Sequence, residues 1–478
     1  MDNLPLYQCI VCANELTATP VGQWACPHCG RYYPSIKGIG VFIPGAAVSI
    51  QGYVQEMAEA KAGLTHMADN LRAFQAQFPD SEFSERIGTA LKGIGKNTGV
   101  LERPYQPIIE FLQDHPVQAD LLAWSMIKTG TTFHDMLPYF YQDWSGTPDF
   151  EKVAAQLGKT VHEHCDDRQA VAVLGAGACG LLHSVAKHFV VAYGVDLSLP
   201  TLLAAKTLMA GEALDFHLPE ANWRQVTLTP PVQEAGNIHF LTANVNNLPF
   251  KDASLSVVVT QYMLDIVSNP LGLAKEIRRI LKPEGRWINF SKPFRVATDP
   301  PELGMRNLAE LPPLFNTLGF DVIELENQRF IYLNMEKAYP EADSINQLVH
   351  YFVLRKNNPH PDGANLKDVS RFFEPNDAVW QEIPRLVQGR ALTFTTGKSF
   401  DGKGGVNECL QVSVMGHIFS IPADFSRLLE TVFAAVDGQR DLREIFQIQR
   451  PIFGLDEQPF LKLIYILNVL HYLLEFHR

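Results

Sequence analysis

Ala170-Val-Ala-Val-Leu174 runs directly into Gly175-Ala-Gly177-Ala-Cys-Gly180, and Leu181 to Phe189 then reads as a helix. Five apolar residues stopped by a glycine describe a strand buried on both faces, and such a strand needs helices above and below a parallel sheet. In the glycine pattern, the first glycine makes the tight turn and the second lets a ligand approach the backbone. The third permits close helix–strand packing. A second apolar strand, Val190 to Val195, ends in Asp196, and 196 − 175 = 21 residues separate that acid from the first glycine. A carboxylate at this offset can accept hydrogen bonds from both ribose hydroxyls of a nucleoside-bearing ligand. The expected fold class is therefore α/β, with Gly175, Gly177, Gly180 and Asp196 binding the cofactor.

Further strands are expected at Ile238 to Leu241, Leu255 to Thr260 and Arg286 to Phe290, with Phe320 to Leu325 and Val349 to Leu354 closing the sheet as an antiparallel hairpin. At 478 residues the chain exceeds one ordinary core. We divide it into a cysteine-bearing module (1–45) with a Pro44-Gly45 exit, a helical extension (46–165), the sheet (166–358), a linker (359–391) and a small C-terminal domain (392–478). Within the extension, Leu121 to Ile127 suits a buried helix with Gly130 as its stop. Leu463 to Leu474 is too short to span a bilayer, is interrupted by Asn468 and His471, and reads as a buried helix. The first residues lack a basic segment followed by an apolar one, so no secretory signal is expected and the cytoplasm is the default address. A net charge of −12 argues against a broad nucleic-acid-binding face.

Four of the seven cysteines lie in the first 29 residues. Cys9-x2-Cys12 and Cys26-x2-Cys29 are 26 − 12 − 1 = 13 residues apart, a spacing that can bring four thiolates to one tetrahedral Zn2+. Four sulfur ligands leave no open position, so the metal expected at Cys9, Cys12, Cys26 and Cys29 is structural. His28 inside the second knuckle is expected to face solvent. The run Arg31 to Pro44 resembles the small zinc-ribbon activator of tRNA, rRNA and release-factor methyltransferases. That activator is ordinarily a separate subunit, and here a similar module would be fused in cis.

Glycine loops of this kind serve several nucleoside cofactors, and the later segments separate them. Asn244-Val-Asn-Asn-Leu-Pro-Phe250, Leu255 to Thr260 and Glu276-Ile-Arg-Arg-Ile-Leu-Lys-Pro-Glu-Gly285 resemble the later motifs of class I S-adenosylmethionine (SAM)-dependent methyltransferases. The resemblance implies a Rossmann-like sheet and SAM as cofactor. That family has an acid at the position of Asn244 that contacts the adenine amino group, and an Asn side-chain carbonyl can accept the same bond. It has a second Asp where Ser256 stands. Gln142 and Gln261 are assigned to the cofactor as well.

A narrower resemblance is carried by Phe140-Tyr-Gln-Asp-Trp-Ser145, Met263-Leu-Asp-Ile266, Trp287-Ile-Asn-Phe290 and Tyr351 to Lys356. These segments are similar to the carnosine N-methyltransferase-like family over roughly residues 100–356. That family methylates a ring nitrogen of a histidine-containing dipeptide. The resemblance implies that Asp265 contacts the acceptor, where a carboxylate would hold the far N–H of a neutral imidazole and stabilise the cation formed on transfer. A helix N-cap is the other reading of Asp265. Tyr262 and Asn289, at strand ends, are candidates for substrate contact. The chain departs from the family at Gln142, where the family has Arg, at about Val296, where it has a substrate-binding His, and near Ile345 to Gln347, where it has tyrosines.

His162-Glu163-His164-Cys165 lacks a matching ligand pair in the sequence and reads as a solvated connection. Cys179 and Cys409 read as small buried residues. Val412 to Pro422 suggests a hairpin turning at Gly416. The segment from Leu392 onward resembles PqqD-like winged-helix modules, which hold a precursor peptide; a generic interaction or dimerisation domain is the other reading. The sequence thus points to SAM-dependent methylation of a nitrogen on a small histidine-containing molecule or peptide. An RNA or protein methyltransferase guided by the ribbon and a SAM-binding scaffold without turnover are the alternatives. The oligomeric state is left open.

Overall fold

The computed structural model describes residues 7–19, 22–43, 46–79, 83–115, 132–219, 223–229, 236–267, 269–292, 308–332, 345–357, 377–386, 392–400, 406–414, 417–421, 423–465, 467 and 474–477. The segment Leu121 to Ile127 with Gly130, the Pro44-Gly45 exit, Val296 and most of the expected linker lie outside these residues. The chain divides into two compact units. One comprises Met1–Ile266, Leu273–Pro293 and Leu308–Pro361; the other comprises Val267–Gly272, Phe294–Asn307 and Asp362–Arg478.

The first unit is built on a nine-stranded sheet. Its strands are β1 (Ser35–Ile36), β2 (Ile39–Phe42), β3 (Ala170–Leu174), β4 (Val191–Asp196), β5 (Ile238–Ala243), β6 (Leu255–Gln261), β7 (Leu281–Ser291), β8 (Phe320–Tyr332) and β9 (Ile345–Lys356). They lie in the order β8-β9-β7-β6-β3-β4-β5-β2-β1. Strands β2 to β7 pair in parallel with their neighbours among themselves, whereas β9 runs antiparallel to both β7 and β8. The expected Rossmann-like sheet and its closing hairpin are thus borne out, with the hairpin longer at both strands.

Burial explains the composition of the central strands. Every residue of β3 is buried, as are six of the seven residues of β6, so β-branched and small apolar side chains fill both faces. Lys282 to Gly285, ahead of the strand expected at Arg286, is accommodated within β7 as a register shift: Leu281 pairs with Leu255, and Arg286 then pairs with Val257. Helices alternate with the strands: α6 (Gly180–Ala186) after β3, α7 (Leu199–Met209) after β4 and α8 (Pro270–Ile280) after β6. Ser198 caps α7 by accepting the Thr201 N–H, and Pro200 sits in its first turn.

The cysteine-bearing module is continuous with this sheet. β2 is buried along its whole length and pairs in parallel with β5, Gly40 to Phe42 opposite Leu241 to Ala243. Tyr7 packs against Trp24, Phe42, Tyr193 and Phe250, and Asn247 Nδ2 donates to the Ile10 carbonyl at 3.1 Å. The helical extension supplies α1 (Ala46–Gln77), α2 (Ser84–Glu102), α3 (Gln106–Asp114), α4 (Leu137–Trp144) and α5 (Pro148–His164). Buried Asn97 of α2 holds both the N–H and the carbonyl of His217, each at 2.8 Å, which ties α2 to the hairpin Leu214–Leu218/Arg224–Leu228.

In the second unit, Leu392–Phe400, Val406–Val414 and His417–Ile421 form an antiparallel three-stranded sheet. Val414 faces His417 across the expected hairpin, whose turn residues lie outside the described ones. Helices Ala423–Ala435, Leu442–Phe453 and Glu457–Tyr465 follow, the second opened by a capping box of Asp441 and Glu444. Of the buried helix expected over Leu463 to Leu474, the described residues Leu463 to Tyr465 and Leu467 are helical, whereas its far end is corrected: Leu474–His477 is a strand paired with Ile383–Leu386.

Candidate active site

Because β3 to β7 are parallel, their C-terminal ends share one edge, and the strand order reverses at β3, with β4 on one side and β6 on the other. Ligands bind open α/β sheets at such a point. The glycine loop, Asp196, Asn244, Gln261 and Asp265 all fall at this edge.

The loop leaves β3 through left-handed backbone at Gly175 (φ +66°), Gly177 (φ +51°) and Cys179 (φ +66°). Gly177 N–H donates to Asp196 Oδ2 and Ser198 N–H to Asp196 Oδ1, both at 2.8 Å. The two oxygens together offer about four acceptor positions, so capacity remains for a ribose hydroxyl. This donor set fits a nucleoside cofactor. Burial raises the Asp196 carboxyl above its ordinary range, against the lowering effect of the Ser198, Gly177 and Leu197 N–H groups. The Cys179 thiol is fully buried and is raised by that burial and by the nearby Asp196 and Asp143 carboxylates. It stays protonated, which removes it as a nucleophile.

Two neighbours explain the outer glycines. A Cβ on Gly175 would stand 1.9 Å from Met263 Cε. A Cβ on Gly180 would stand 2.6 Å from the Cβ of Asp143, whose Oδ2 accepts the Gly180 N–H at 3.0 Å. Trp144 Nε1 also donates to the Ala178 carbonyl at 2.9 Å. Asp143 and Trp144 carry no sequence signal for these contacts beyond their place in the Phe140 to Ser145 segment. Burial pushes the Asp143 carboxyl up to about 7, with the Gly180 N–H lowering it only in part. Gln142, expected at the cofactor, is buried, and its carbonyl accepts the Thr147 hydroxyl.

Asn244 follows β5, and its Oδ1 accepts the Asn246 N–H at 2.9 Å, so the carbonyl assigned to adenine already holds one turn bond. Gln261 ends β6 opposite Phe290 and is partly exposed. Ser256 is buried and accepts the Ala170 N–H; nearby Lys282 pairs with Asp167 at 2.8 Å.

Beyond β6 the chain turns at Tyr262, itself left-handed (φ +45°), whose N–H donates to the Phe290 carbonyl. Its phenol is raised by burial and then by Asp149, Asp265 and Tyr139, so it remains a hydrogen-bond donor. Asp265 lies in the following turn. Its Oδ2 is 3.3 Å from Lys292 Nζ, and its Oδ1 is buried with no hydrogen-bond partner. Helix α8 starts at Pro270, and Asn269 Oδ1 accepts the Gly272 N–H, so Asp265 is not spent on capping. Asn289 is fully buried. Its Oδ1 accepts from Thr260 and Ser291, and its Nδ2 donates to the His350 carbonyl. Ser291 Oγ in turn accepts the Met263 N–H at 3.1 Å. The end of β7 is thereby fastened to the turn that carries Asp265.

The Cys9, Cys12, Cys26 and Cys29 sulfurs lie within 4.8 Å of one another, with Cys9–Cys29 at 3.7 Å and Cys12–Cys26 at 3.4 Å. Tetrahedral Zn–S bonds of about 2.3 Å imply sulfurs roughly 3.8 Å apart, so the cluster fits zinc. The reading of His162 to Cys165 as a solvated connection holds at His162 and Glu163, which are exposed, and is corrected at His164 and Cys165. Cys165 is buried, and His164 bonds Glu324, which also accepts from Tyr351; Thr160 completes the chain.

Comparison with known proteins bears on the edge just described. A family profile described as a methyltransferase domain matches residues 173–289. The ubiquinone/menaquinone biosynthesis C-methyltransferase UbiE of Haemophilus ducreyi is 26% identical over 29% of this chain and 52% of its own length. Its counterpart from Vibrio cholerae is 28% identical over 28% of this chain and 42% of its own length. The chain thus spans about half the length of the curated relatives it matches. Among solved structures, the complex between the Haloferax volcanii Trm112 methyltransferase activator and a methyltransferase aligns at 16% identity and a TM-score of 0.32, covering 51% of this chain and 100% of that one. Among the described residues, no helix is long and apolar enough to cross a membrane. With the sheet order, the loop and the matched residues in agreement, the chain carries a class I SAM-dependent methyltransferase domain.

Proposed function

We propose that this domain transfers the methyl group of SAM to a nitrogen of an acceptor held at Asp265. The observation that carries the reading is the buried, unpartnered Oδ1 of Asp265. An acceptor oxygen left without a donor is costly, and a ligand N–H would relieve that cost. Met263, two residues earlier, lies against Gly175, so the turn carrying Asp265 adjoins the cofactor loop.

When bound, SAM supplies an electrophilic methyl carbon. Asp196 would hold its ribose, with Gly175, Gly177 and Gly180 keeping side chains out of its path. Asp265 would accept the far N–H of a neutral imidazole or similar base, fixing the tautomer so that the other nitrogen presents its lone pair. The same carboxylate would then stabilise the cation left on the methylated ring. Tyr262, a protonated phenol beside Asp265 and Asp149, would donate a hydrogen bond to the acceptor. Cys9, Cys12, Cys26 and Cys29 would hold a structural zinc that braces the module bearing β2.

A radiolabelled-methyl assay against histidine-containing peptides and size-fractionated extract tests this reading. Labelled product from the wild-type chain, reduced about a hundredfold or more in Asp265→Asn with S-adenosylhomocysteine binding intact, is the expected outcome. Unchanged turnover in Asp265→Asn would remove the residue from the reaction.

A further inference from the structure

We propose that Glu163, His164 and Glu324 form a second divalent-metal site, separate from the cysteine cluster, that takes Zn2+ and leaves a coordination position open to a neighbouring cavity. The site does not depend on the acceptor reading above. Helix α5 ends shortly before β3 begins, so its last turn lies at the N-terminal end of the parallel strands, opposite the cofactor edge.

Glu163 and His164 are the last two residues of α5, and Glu324 lies on β8. One ligand atom of each comes within 4.8 Å of the other two. His164 Nε2 and Glu324 Oε1 are 2.7 Å apart and share a proton. Zn–N and Zn–O bonds of about 2.0–2.2 Å put neighbouring ligand atoms roughly 3.0–3.5 Å apart, so a metal replacing that proton needs only a small separation of the two. The other oxygen of Glu324 is already fixed. It accepts the Tyr351 hydroxyl at 2.8 Å, and that hydroxyl bonds Thr160 Oγ1 at 2.7 Å. Tyr351 and Thr160 are both buried. Such outer hydrogen bonds are what orient a ligating carboxylate.

An imidazole–carboxylate pair alone would be an ordinary link between α5 and β8. Glu163 is the part that such a link does not explain. It brings a second carboxylate beside Glu324 in the last turn of a helix, where the macrodipole already disfavours negative charge. Lys159 Nζ stands 3.8 Å from Glu163, and its side chain is 72% exposed, so that pairing is loose and screened. A divalent cation would offset both carboxylates, and with a neutral imidazole the set is balanced in charge. The nitrogen donor selects a metal of the zinc class, because Mg2+ and Ca2+ take sets made of oxygen alone. Three protein ligands leave a position open. Glu163, Glu324 and Tyr351 also line a cavity of about 610 Å3, together with Lys159, Thr160 and Glu326. Water or a small ligand entering that cavity would complete the coordination.

Three ligands at a partly exposed site hold zinc more weakly than four thiolates do, so the second ion is gained on adding metal to a protein whose ribbon is already filled. The test is calorimetric titration of ZnCl2 into the reduced, full-length protein holding one zinc. One further equivalent should bind to the wild type. Glu163→Gln, a change at an exposed residue, should weaken that step about tenfold or more, as should His164→Gln. Lys159→Met should bind the second ion at least as tightly as the wild type. Added zinc should raise the melting temperature of the wild type but not that of Glu163→Gln. Absence of a second equivalent, or equal affinity in Glu163→Gln and the wild type, would overturn the inference. Binding of Mg2+ or Ca2+ as tight as that of Zn2+ would overturn it too, since the imidazole would then have no part in the site.

Discussion

Asp143 offers the sharpest test of how the extension meets the cofactor loop. Burial pushes its carboxyl from 3.8 up to about 7, so the folded protein holds a proton there that the unfolded chain releases. Between those two values the native state binds more protons than the unfolded state. Stability must then fall as pH rises through the window, by up to about 1.4 kcal/mol per pH unit. A shift of about three units sets a ceiling of roughly 4 kcal/mol for the cost of charging Asp143. The side chain keeps some contact with solvent, which lowers the realised cost to about 1–3 kcal/mol. Asp143→Asn removes the titration while leaving an Oδ1 that can still accept the Gly180 N–H. The variant should therefore match the wild type below about pH 4, gain on it through the window and exceed it most near pH 8. At about 2 °C per kcal/mol for a unit of this size, the gain in melting temperature is about 2–6 °C. Thermal unfolding of both proteins at intervals from about pH 4 to 8 measures it, since other titrations cancel in the difference. A difference that is flat across this range, or one in which the variant loses ground as pH rises, would refute the buried-carboxyl argument.

Gly180→Ala should displace Asp143 and α4 from the loop, because the clash at 2.6 Å is with a Cβ, not the end of a flexible chain. A destabilisation of about 1–3 kcal/mol is expected, with weakened S-adenosylhomocysteine binding by titration. Removal of zinc with a chelator, or Cys12→Ser, should loosen the module carrying β2 and lower the melting temperature, while metal analysis of the reduced protein should return about one zinc per chain.

The sheet was legible because its strands are short apolar runs stopped by glycine or acid, a pattern that depends only on neighbours in sequence. Asp196 and the four cysteines were legible for a related reason, since spacing along the chain carries the chemistry. The site's other half was not. Asp143 and Trp144 were visible as residue types, but their contact with Gly180 and Ala178 depends on how α4 folds back over the loop. Gln142, one residue away, is the position to which the family resemblance points, yet it is buried and its carbonyl accepts the Thr147 hydroxyl. Asn289 showed the converse: a polar residue at a strand end looks available, yet three hydrogen bonds in the buried network of Thr260, Ser291 and His350 occupy its amide. Lys292 had no signal beyond a lone lysine after a strand, because its partner lies on a different one.

The three glycines of the loop prove to face three different things. Gly177 turns its N–H to Asp196, the acid proposed to hold the ribose. Gly175 yields its Cβ space to Met263, which leads into the turn bearing Asp265. Gly180 yields its space to Asp143 of the extension, not to helix–strand packing as the motif alone implied. A side chain added at either outer glycine would therefore strike a different partner, on the acceptor side or the extension side. The loop is clamped between the segment that would hold the acceptor and the helix that covers it. Displacement of either partner would reach the loop through one residue, so the pH response of Asp143 and the effect of Asp265→Asn on turnover are separable measurements on the same loop.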